Sequence, residues 1–259
     1  MIIRLAVEAD AGFIARLIQQ SFDANMLRAM IYGCHGIINY IRYNILTPNK
    51  ISDTVYMVAE DRGSIVGCVE LRLVGKAIFL NYICIDHNKR HKGIGRELLL
   101  NSIYIIGNSF YNKMNLDVFY DNVVAKSWYE NIDFTYEYTT SWLSISMNPC
   151  ENIRSGKISG IAQSNICQRE FGFSHFILNT TTASYSVGRL GTDWFRISDE
   201  TLLKDDQAIA TLCQLDSNRK ILGLFRENIN GFMVEEFKPF CRSVRMAVDI
   251  NLLLNNLTN

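Results

Sequence analysis

A basic turn that contains two glycines is the stretch of the sequence whose residue types best suit chemistry. It reads Asn-Lys-Arg-His-Lys-Gly-Ile-Gly-Arg-Glu-Leu-Leu over residues 88–99. The apolar run 77–85 before it predicts a strand, and residues 93–106 have apolar positions at helical spacing. Backbone N–H groups at a helix start lack intrahelical partners, and the helix dipole adds positive charge there. The turn can therefore bind phosphate groups, although a basic turn without a ligand fits the same residues.

Two common phosphate-binding patterns do not fit this turn. The sequence has no G-x-x-x-x-G-K-[ST] loop. A dinucleotide-binding G-x-G-x-x-G pattern would need a third glycine at the position of Leu98. The nucleotide, if there is one, must be bound by another kind of turn.

The turn and two other segments resemble the GNAT superfamily of acetyl-CoA-dependent N-acetyltransferases. Arg90-His91-Lys92-Gly93-Ile94-Gly95 resembles the family's R/Q-x-x-G-x-G/A turn. The downstream element N-x-x-A-x-x-x-Y-E-x-x-G-F is similar to Asn122-x-x-Ala125-x-x-x-Tyr129-Glu130-x-x-x-Phe134, which follows Leu116-x-Val118. The family's first strand and helix are similar to Ile3-Arg4-x-Ala6-x-x-x-Asp10. The resemblance covers residues 1–147 and does not extend to the rest of the chain.

The resemblance implies a role for each matching residue. The backbones of Ile83 and Ile85, with Cys84 between them, would bind the pantetheine arm and the acetyl carbonyl of acetyl-CoA. The pyrophosphate would lie in the turn formed by Arg90, His91, Lys92, Gly93, Ile94 and Gly95, with Arg96 nearby. Asn122 would contact the cofactor arm, and Tyr129 would protonate the departing thiolate. A phenol is a weak acid that can do this.

The sequence has no obvious counterpart of the acid that many relatives use as the general base. Glu70, on the second strand of a predicted hairpin, is the best-placed acid to deprotonate an amine. A carboxylate on the surface of the strand is the alternative interpretation. The family's glycine before Phe134 is Asp133 here, so we expect that turn to differ.

Three further residues have a plain alternative to a functional role. Tyr129 fits a core position as well as an active site. Cys84 has no histidine at motif spacing, so it is a small buried apolar residue rather than an acyl-cysteine nucleophile. His35 lies between two glycines and either lines a substrate cleft or occupies a loop.

The pattern of the first half predicts the elements that position these residues. Strands and helices follow in the order β-α-α-β-β-β-α-β-α-β, which favours an α/β fold. With the resemblance, this implies a GNAT-type mixed, partly splayed central sheet flanked by helices. We predict a GNAT domain at residues 1–147, a Pro-, Ser- and Gly-containing linker at 148–163, and a smaller α+β C-terminal domain at 164–259.

The second half contains no second R-x-x-G-x-G turn, so we expect no second cofactor site. It fits a degenerate GNAT-like fold. Alternatively, it covers the acceptor cleft or builds the interface of a homodimer. Asp193, Trp194, Arg196, Glu235 and Glu236 are candidates for an acceptor site there, although a solvated surface fits them as well.

Composition narrows the possible partners and the location. Lys and Arg together number 26, as do Asp and Glu, so the net charge is zero and we expect neither nucleic acid nor a membrane as partner. No apolar run reaches the roughly 18 residues that a membrane span needs. The seven scattered cysteines form no C-x-x-C pair and no export signal is visible, which favours reduced thiols and the cytoplasm. The four histidines lack metal-ligand spacing, so we expect no metal.

Two functions follow from the sequence. The first is an N-acetyltransferase that moves an acetyl group from acetyl-CoA to a primary amine by direct attack, the amine being a small molecule, an amino acid or a peptide. The alternative is a non-catalytic acyl-CoA-binding or sensing module whose C-terminal domain docks a partner. The lack of an obvious general base favours the alternative, and the joint match at 90–95 and 122–134 favours the first.

Overall fold

The fold is taken from a computed structural model, which describes residues 1–47, 52–107, 109–148, 153–227 and 239–258. The first half contains β1 Ile2–Leu5, α1 Ala11–Gln19, α2 Ala24–Arg28, α3 Ile37–Leu46, β2 Thr54–Asp61, β3 Ser64–Val74, β4 Ala77–Ile85, α4 Ile94–Ile106, β5 Lys113–Phe119, α5 Val123–Glu130 and β6 Thr135–Ile145. The second half contains β7 Lys157–Ser159, α6 Ile161–Phe171, β8 Phe173–Asn179, β9 Ser184–Leu190, β10 Trp194–Ile197, α7 Asp206–Leu215, β11 Lys220–Arg226, β12 Cys241–Asp249 and α8 Ile250–Thr258. Short 3-10 turns lie at Glu8–Asp10, Ile31–Gly33, His87–Lys89 and Glu200–Lys204.

The chain forms two compact units that do not follow a single cut in the sequence. The first unit contains Met1–Asp23, Ile38–Tyr138 and Val244–Asn259. The second contains Ala24–Ile37 and Thr139–Ser243. The last strand and helix of the chain thus complete the first unit instead of the predicted C-terminal domain at 164–259. The predicted linker at 148–163 holds β7 and the first turn of α6, while its residues 149–152 lie outside the described part.

The first unit is built on a mixed sheet with the strand order β1-β2-β3-β4-β5-β12-β6. Strands β1 to β4 pair antiparallel, and β4 pairs parallel with β5. Alternate strand residues such as Val69, Leu80 and Val118 join a buried core on the face covered by α4 and α8. Each large apolar side chain buried there contributes about 1.5–3 kcal/mol. This core fixes α4, and with it the turn at residues 90–95.

The second unit has its own sheet, in the order β6-β11-β10-β9-β8-β7, in which β6 contributes its C-terminal part. Strands β10 and β11 are parallel, and β7, β8, β9 and β10 are joined by antiparallel pairs. A separate buried core contains Leu143, Phe176, Phe195, Leu212 and Ile221. The predicted α/β class therefore holds for the first unit, and the second unit combines helices with a largely antiparallel sheet, as the predicted additional α+β domain does.

One local departure from the family pattern, at Asp133, retains a left-handed backbone conformation. Asp133 stands where the family has glycine, and its φ of 64° is the left-handed conformation that glycine adopts easily. Asp is among the residues that tolerate this region best. Its carboxylate also accepts a hydrogen bond from the side-chain amide of Asn256, in α8. Asp133 therefore adopts a conformation that glycine would also allow.

Candidate active site

Strands β4 and β5 separate in the middle of the first unit, where the candidate site begins. Their parallel pairing runs from Ala77–Lys113 to Leu80–Leu116 and goes no further along either strand. On the other side, the β3–β4 register shifts by one residue, so Asn81 is an extra residue without a partner on β3. A bulge of this kind bends a strand and commonly lies next to active sites. Here it coincides with the point at which β4 leaves β5.

The separation leaves backbone groups of β4 open on its β5 side. Asp86 N donates to Val66 O over 2.9 Å, which marks these two residues as a hydrogen-bonded antiparallel pair. Because such pairs alternate along a ladder, Cys84 directs its backbone groups to β3, whereas Ile83 and Ile85 direct theirs toward β5. Arg90 Nε donates to Ile85 O over 3.2 Å, in agreement with this direction. Ile83 and Ile85, which were predicted to bind the cofactor, thus direct their backbone groups into the opening between β4 and β5.

The basic turn follows directly after β4 and opens onto the start of α4. Both His91 and Gly93 have positive φ, 59° and 77°. The first hydrogen bond that joins the helix to the turn runs from Glu97 N to Gly93 O over 3.1 Å. The N–H groups of Ile94, Gly95 and Arg96 therefore have no intrahelical acceptor. The helix has 13 residues, so its dipole adds positive charge where these three donors lie.

The cations of the turn differ in what they already bind. Lys89 Nζ is 3.0 Å from Asp61 Oδ2, so this charge is paired. The side chains of Arg90, His91 and Lys92 are exposed. Arg96, in contrast, donates from Nε to Leu257 O over 3.0 Å and from Nη2 to Asn256 O. Its guanidinium therefore caps the last turn of α8. The contacts of the Arg96 side chain are thus with α8 and not with the turn, where a pyrophosphate was expected.

The glycines of the turn leave the space above the backbone free. A Cβ built on Gly93 would meet nothing within 4 Å, and one on Gly95 would meet Ile85 Cγ1 and Trp128 Cζ2 at 3.9 Å. The protein itself therefore does not fill the position above the three free N–H groups. Diphosphate oxygens, which accept several N–H bonds at once, suit this donor set.

Glu70 is buried and held in place, so the alternative of a surface carboxylate is wrong. Its exposed fraction is 1%. Oε1 accepts a hydrogen bond of 2.6 Å from Nδ2 of Asn81, the bulged residue of β4. Glu70 lies opposite Tyr82 in the β3–β4 register. Its negative charge contributes to raising the pKa of Tyr40 on α3, after the larger effect of burial.

Tyr129 lies in the core with its ring against Trp128 and Phe134, at centroid distances of 5.0 and 5.5 Å. Its exposed fraction is 8%. Burial, and then the influence of Cys84, raise the pKa of the Tyr129 phenol well above its usual value. No hydrogen bond to its hydroxyl occurs within the part of the chain that the structure describes. The ring therefore occupies a core position, and the role of the hydroxyl in the active site stays a prediction.

The remaining predicted residues have plain structural partners. Asn122 caps α5, since its Oδ1 accepts a 3.1 Å bond from Ala125 N. Cys84 is buried, and its thiol shares a hydrogen bond with Cys68. That bond and complete burial raise the pKa of Cys68 well above its usual value. His35 contacts Arg169 O over 3.1 Å in the second unit. Among the described residues, no three His, Cys, Asp or Glu side chains cluster as a metal site.

The acceptor candidates of the second half have local partners of their own. Asp193 Oδ2 pairs with Arg28 Nη2 at 2.7 Å, and Trp194 Nε1 donates to Arg28 O over 3.0 Å. Glu235 and Glu236 lie outside the described residues. Sequence reasoning missed Asn81 as the partner of Glu70, because a bulge leaves no pattern in an apolar strand.

Comparison with known proteins identifies the domain that carries the site. Residues 52–136, about a third of the chain, match the family model of the acetyltransferase (GNAT) domain. This range includes both the turn at 90–95 and the 122–134 element, so the resemblance is confirmed for residues 52–136. A search of curated proteins found no match.

Solved structures of similar fold span nearly the whole chain. A putative acetyltransferase from Pyrococcus horikoshii has 14% identity and a TM-score of 0.63, covering 96% of this chain and 89% of that one. A tandem GNAT protein from the clavulanic acid biosynthesis pathway has 12% identity and a TM-score of 0.62, covering 96% and 98%. A GCN5-related N-acetyltransferase from Sphaerobacter thermophilus has 12% identity and a TM-score of 0.61, covering 96% and 95%. At these identities the likeness concerns the fold, which is a GNAT fold with an additional domain.

Proposed function

Because residues 52–136 match the model of the acetyltransferase (GNAT) domain, we propose that this protein transfers an acetyl group from acetyl-CoA to a primary amine. The observation that carries the proposal is the open edge of β4 after Leu80, which leads directly into the free N–H groups at the start of α4. A strand edge and a phosphate-binding turn in this succession suit a ligand with a long amide-containing arm and a diphosphate. Both are parts of coenzyme A.

The chain's own residues would hold the donor along this path. The N–H groups of Ile94, Gly95 and Arg96 bind the diphosphate, and exposed Arg90 and Lys92 add charge around it. The backbone groups of Ile83 and the N–H of Ile85, which face the β5 side, bind the arm, whereas Ile85 O already accepts from Arg90 Nε. When bound, acetyl-CoA supplies an activated thioester, and an N–H group of β4 stabilises negative charge that develops on its carbonyl oxygen. Asn122, which uses Oδ1 as a cap, has its side-chain amide nitrogen left to contact the arm.

Glu70 is the group that accepts the proton of the amine. An ammonium cannot attack, so a base must remove one proton, directly or through a water molecule. The carboxylate is buried, and Asn81 fixes one of its oxygens at 2.6 Å. This carboxylate is the group that we assign to the proton transfer.

Tyr129 is the group that returns a proton to the leaving thiolate. The raised pKa means that the phenol is protonated at neutral pH, so it is available as an acid and not as a base. Its hydroxyl has no competing acceptor among the described residues, which leaves the proton free for a ligand.

A non-catalytic acyl-CoA-binding module is the alternative function. It drew its support from the absence of an obvious base. The burial of Glu70 and its bond to Asn81 weaken that support, because they place a carboxylate beside the opening of β4 where a base is needed. We therefore prefer the enzyme.

We propose one cofactor site per chain. In the second unit the parallel strands β10 and β11 are paired along all four residues of β10. At the start of α7, the carboxylate of Asp205 accepts a 3.0 Å bond from Ala208 N. A carboxylate thus occupies the start of α7, whereas at the start of α4 Gly93 leaves the N–H groups open. The homodimer and the cytoplasmic location stay predictions; no helix in the described part of the chain has the length and apolarity to cross a membrane.

The test is to incubate the purified protein with acetyl-CoA and a panel of primary amines. Liquid chromatography with mass detection should find free CoA and the acetylated amine in equal amounts. Reactions without amine serve as the control for hydrolysis. Tight binding of CoA without any acetylated product from the panel would contradict the proposal and favour the binding module.

A further inference from the structure

Three aromatic side chains meet where β4 and β5 separate; we call Phe22, Tyr82 and Phe119 the aromatic trio. The ring centroid of Phe22 lies 6.0 Å from that of Tyr82 and 5.9 Å from that of Phe119. The interplanar angles are 82° and 79°, so both contacts are edge-to-face. All three residues are only partly buried. The trio is therefore an accessible aromatic surface and not a closed core.

The position of the trio relates it to the proposed chemistry. Tyr82 and Phe119 lie past Leu80 and Leu116, the last paired residues of β4 and β5. Phe22 follows α1 and contacts both rings, so it bridges the separating strands on the face opposite the core formed with α4. Glu70 pairs with Tyr82 in the β3–β4 register, and both side chains lie on the face of α1. The trio and the proposed base thus share one side of the opening.

The charges on this face favour a cationic ligand. Glu70 supplies a negative charge beside the trio. Two cations lie on this face. Arg72, two residues after Glu70 on β3, is exposed, so water screens its charge. Arg245 is paired, because its Nε lies 2.6 Å from Asp117 Oδ1. Its guanidinium also lies over the rings of Phe79 and Tyr138, at 5.0 and 5.3 Å. An ammonium group near Glu70 therefore meets attraction that Arg245 does not cancel.

Building on the proposed function, we infer that the acceptor is a primary amine carried on an aromatic group, and that the aromatic trio selects it. The ammonium end lies toward Glu70, and the flat ring of the acceptor packs against the trio. Aromatic rings attract one another in edge-to-face and offset arrangements. They also attract a cation held near their faces. A straight alkyl chain gains less from rings fixed at these angles.

The test compares three probes of similar size: 2-phenylethylamine, n-hexylamine and 2-phenylethanol. Their binding to the protein saturated with CoA is measured by calorimetry, and kcat/KM is measured for the two amines. We expect 2-phenylethylamine to bind at least about 10-fold more tightly than n-hexylamine, the scale on which apolar pockets discriminate. We expect Glu70→Gln to remove its advantage over the neutral alcohol.

Variants of the trio test the origin of the preference. Phe22→Ala should reduce the ratio between the aromatic and the alkyl amine to about 3-fold or less, since one of the three rings is lost. Phe13→Ala is the matched control, because Phe13 lies on α1, is half exposed and does not contact the trio. It should leave the ratio unchanged. If Phe22→Ala lowers the melting temperature, Phe119→Leu and Phe22→Leu, which keep apolar bulk, serve in its place.

Two results separate this inference from the proposed function. Equal kcat/KM for both amines, or a ratio unchanged by the trio variants, would overturn the aromatic acceptor and leave acetyl transfer standing. Binding of 2-phenylethylamine that depends on Phe22, without acetylation of any amine, would support the acceptor site and contradict the enzyme.

Discussion

The role of Tyr129 gives a prediction in which catalysis and stability should separate. Tyr129→Phe removes one oxygen atom and retains the ring contacts with Trp128 and Phe134. The hydroxyl has no hydrogen-bond partner among the described residues, so its loss should change the free energy of unfolding by less than about 0.5 kcal/mol. Its loss as a proton donor should lower kcat by about 100- to 10,000-fold. That range is about 2.7–5.5 kcal/mol of activation free energy.

The pH dependence follows from the direction of the pKa shift. Burial, and then Cys84, raise the pKa of Tyr129 above its usual value of about 10. The phenol stays protonated throughout the neutral range, so its deprotonation should not limit the wild-type rate there. The ratio of wild-type to variant kcat should therefore be constant between about pH 6 and pH 9.

The assay measures CoA release, the Kd for acetyl-CoA and the melting temperature of both proteins. Tyr111→Phe is the matched control, because Tyr111 packs against the same core and should leave all three values unchanged. A Tyr129→Phe enzyme with wild-type kcat would refute the proton-donor role. A large drop in melting temperature would refute the claim that the hydroxyl contributes little to the stability of the fold.

Three further outcomes follow from the geometry. Gly93→Ala, at a φ of 77°, should lower the free energy of unfolding by about 1 kcal/mol and weaken acetyl-CoA binding. Gly95→Ala should leave the stability unchanged, because its Cβ makes only ordinary contacts. Equal melting temperatures of the two variants would contradict this difference. Arg96→Ala removes the cap of α8 and should lower the free energy of unfolding by about 1.5–3 kcal/mol. The Kd for acetyl-CoA should stay within about 2-fold of wild type. A large loss of affinity would show that the Arg96 side chain binds the cofactor. Burial opposes ionisation of Asp10, but its bonds from Arg4 and from a backbone N–H outweigh this and lower the pKa of Asp10. Asp10→Asn should therefore destabilise by about 1–3 kcal/mol, a difference that is present above about pH 4 and disappears as acid protonates the native carboxylate; urea titrations at several pH values measure it.

The sequence allowed most of the first unit to be predicted, because local signals determine it. The hairpin of β2 and β3 and the amphipathic helix α4 depend on turn residues and apolar periodicity. The turn at 90–95 is also local, since it needs only glycines and a helix start. These features need no knowledge of distant contacts.

The features that sequence reasoning missed depend on distant partners. The role of Arg96 depends on carbonyl groups about 160 residues later in the chain. The burial of Glu70 depends on a bulge in the neighbouring strand. The return of β12 and α8 to the first unit leaves no local trace, although the apolar spacing of Ile250, Leu253, Leu254 and Leu257 could have indicated the helix itself.

Titration of the protein with acetyl-CoA by calorimetry tests the central claim most directly. The claim is that the open edge of β4 and the turn at 90–95 form one acyl-CoA site in the first unit. We expect saturable binding of one acetyl-CoA per chain, weakened by Gly93→Ala and retained in Arg96→Ala. Absence of binding, or two equivalents per chain, would contradict the account.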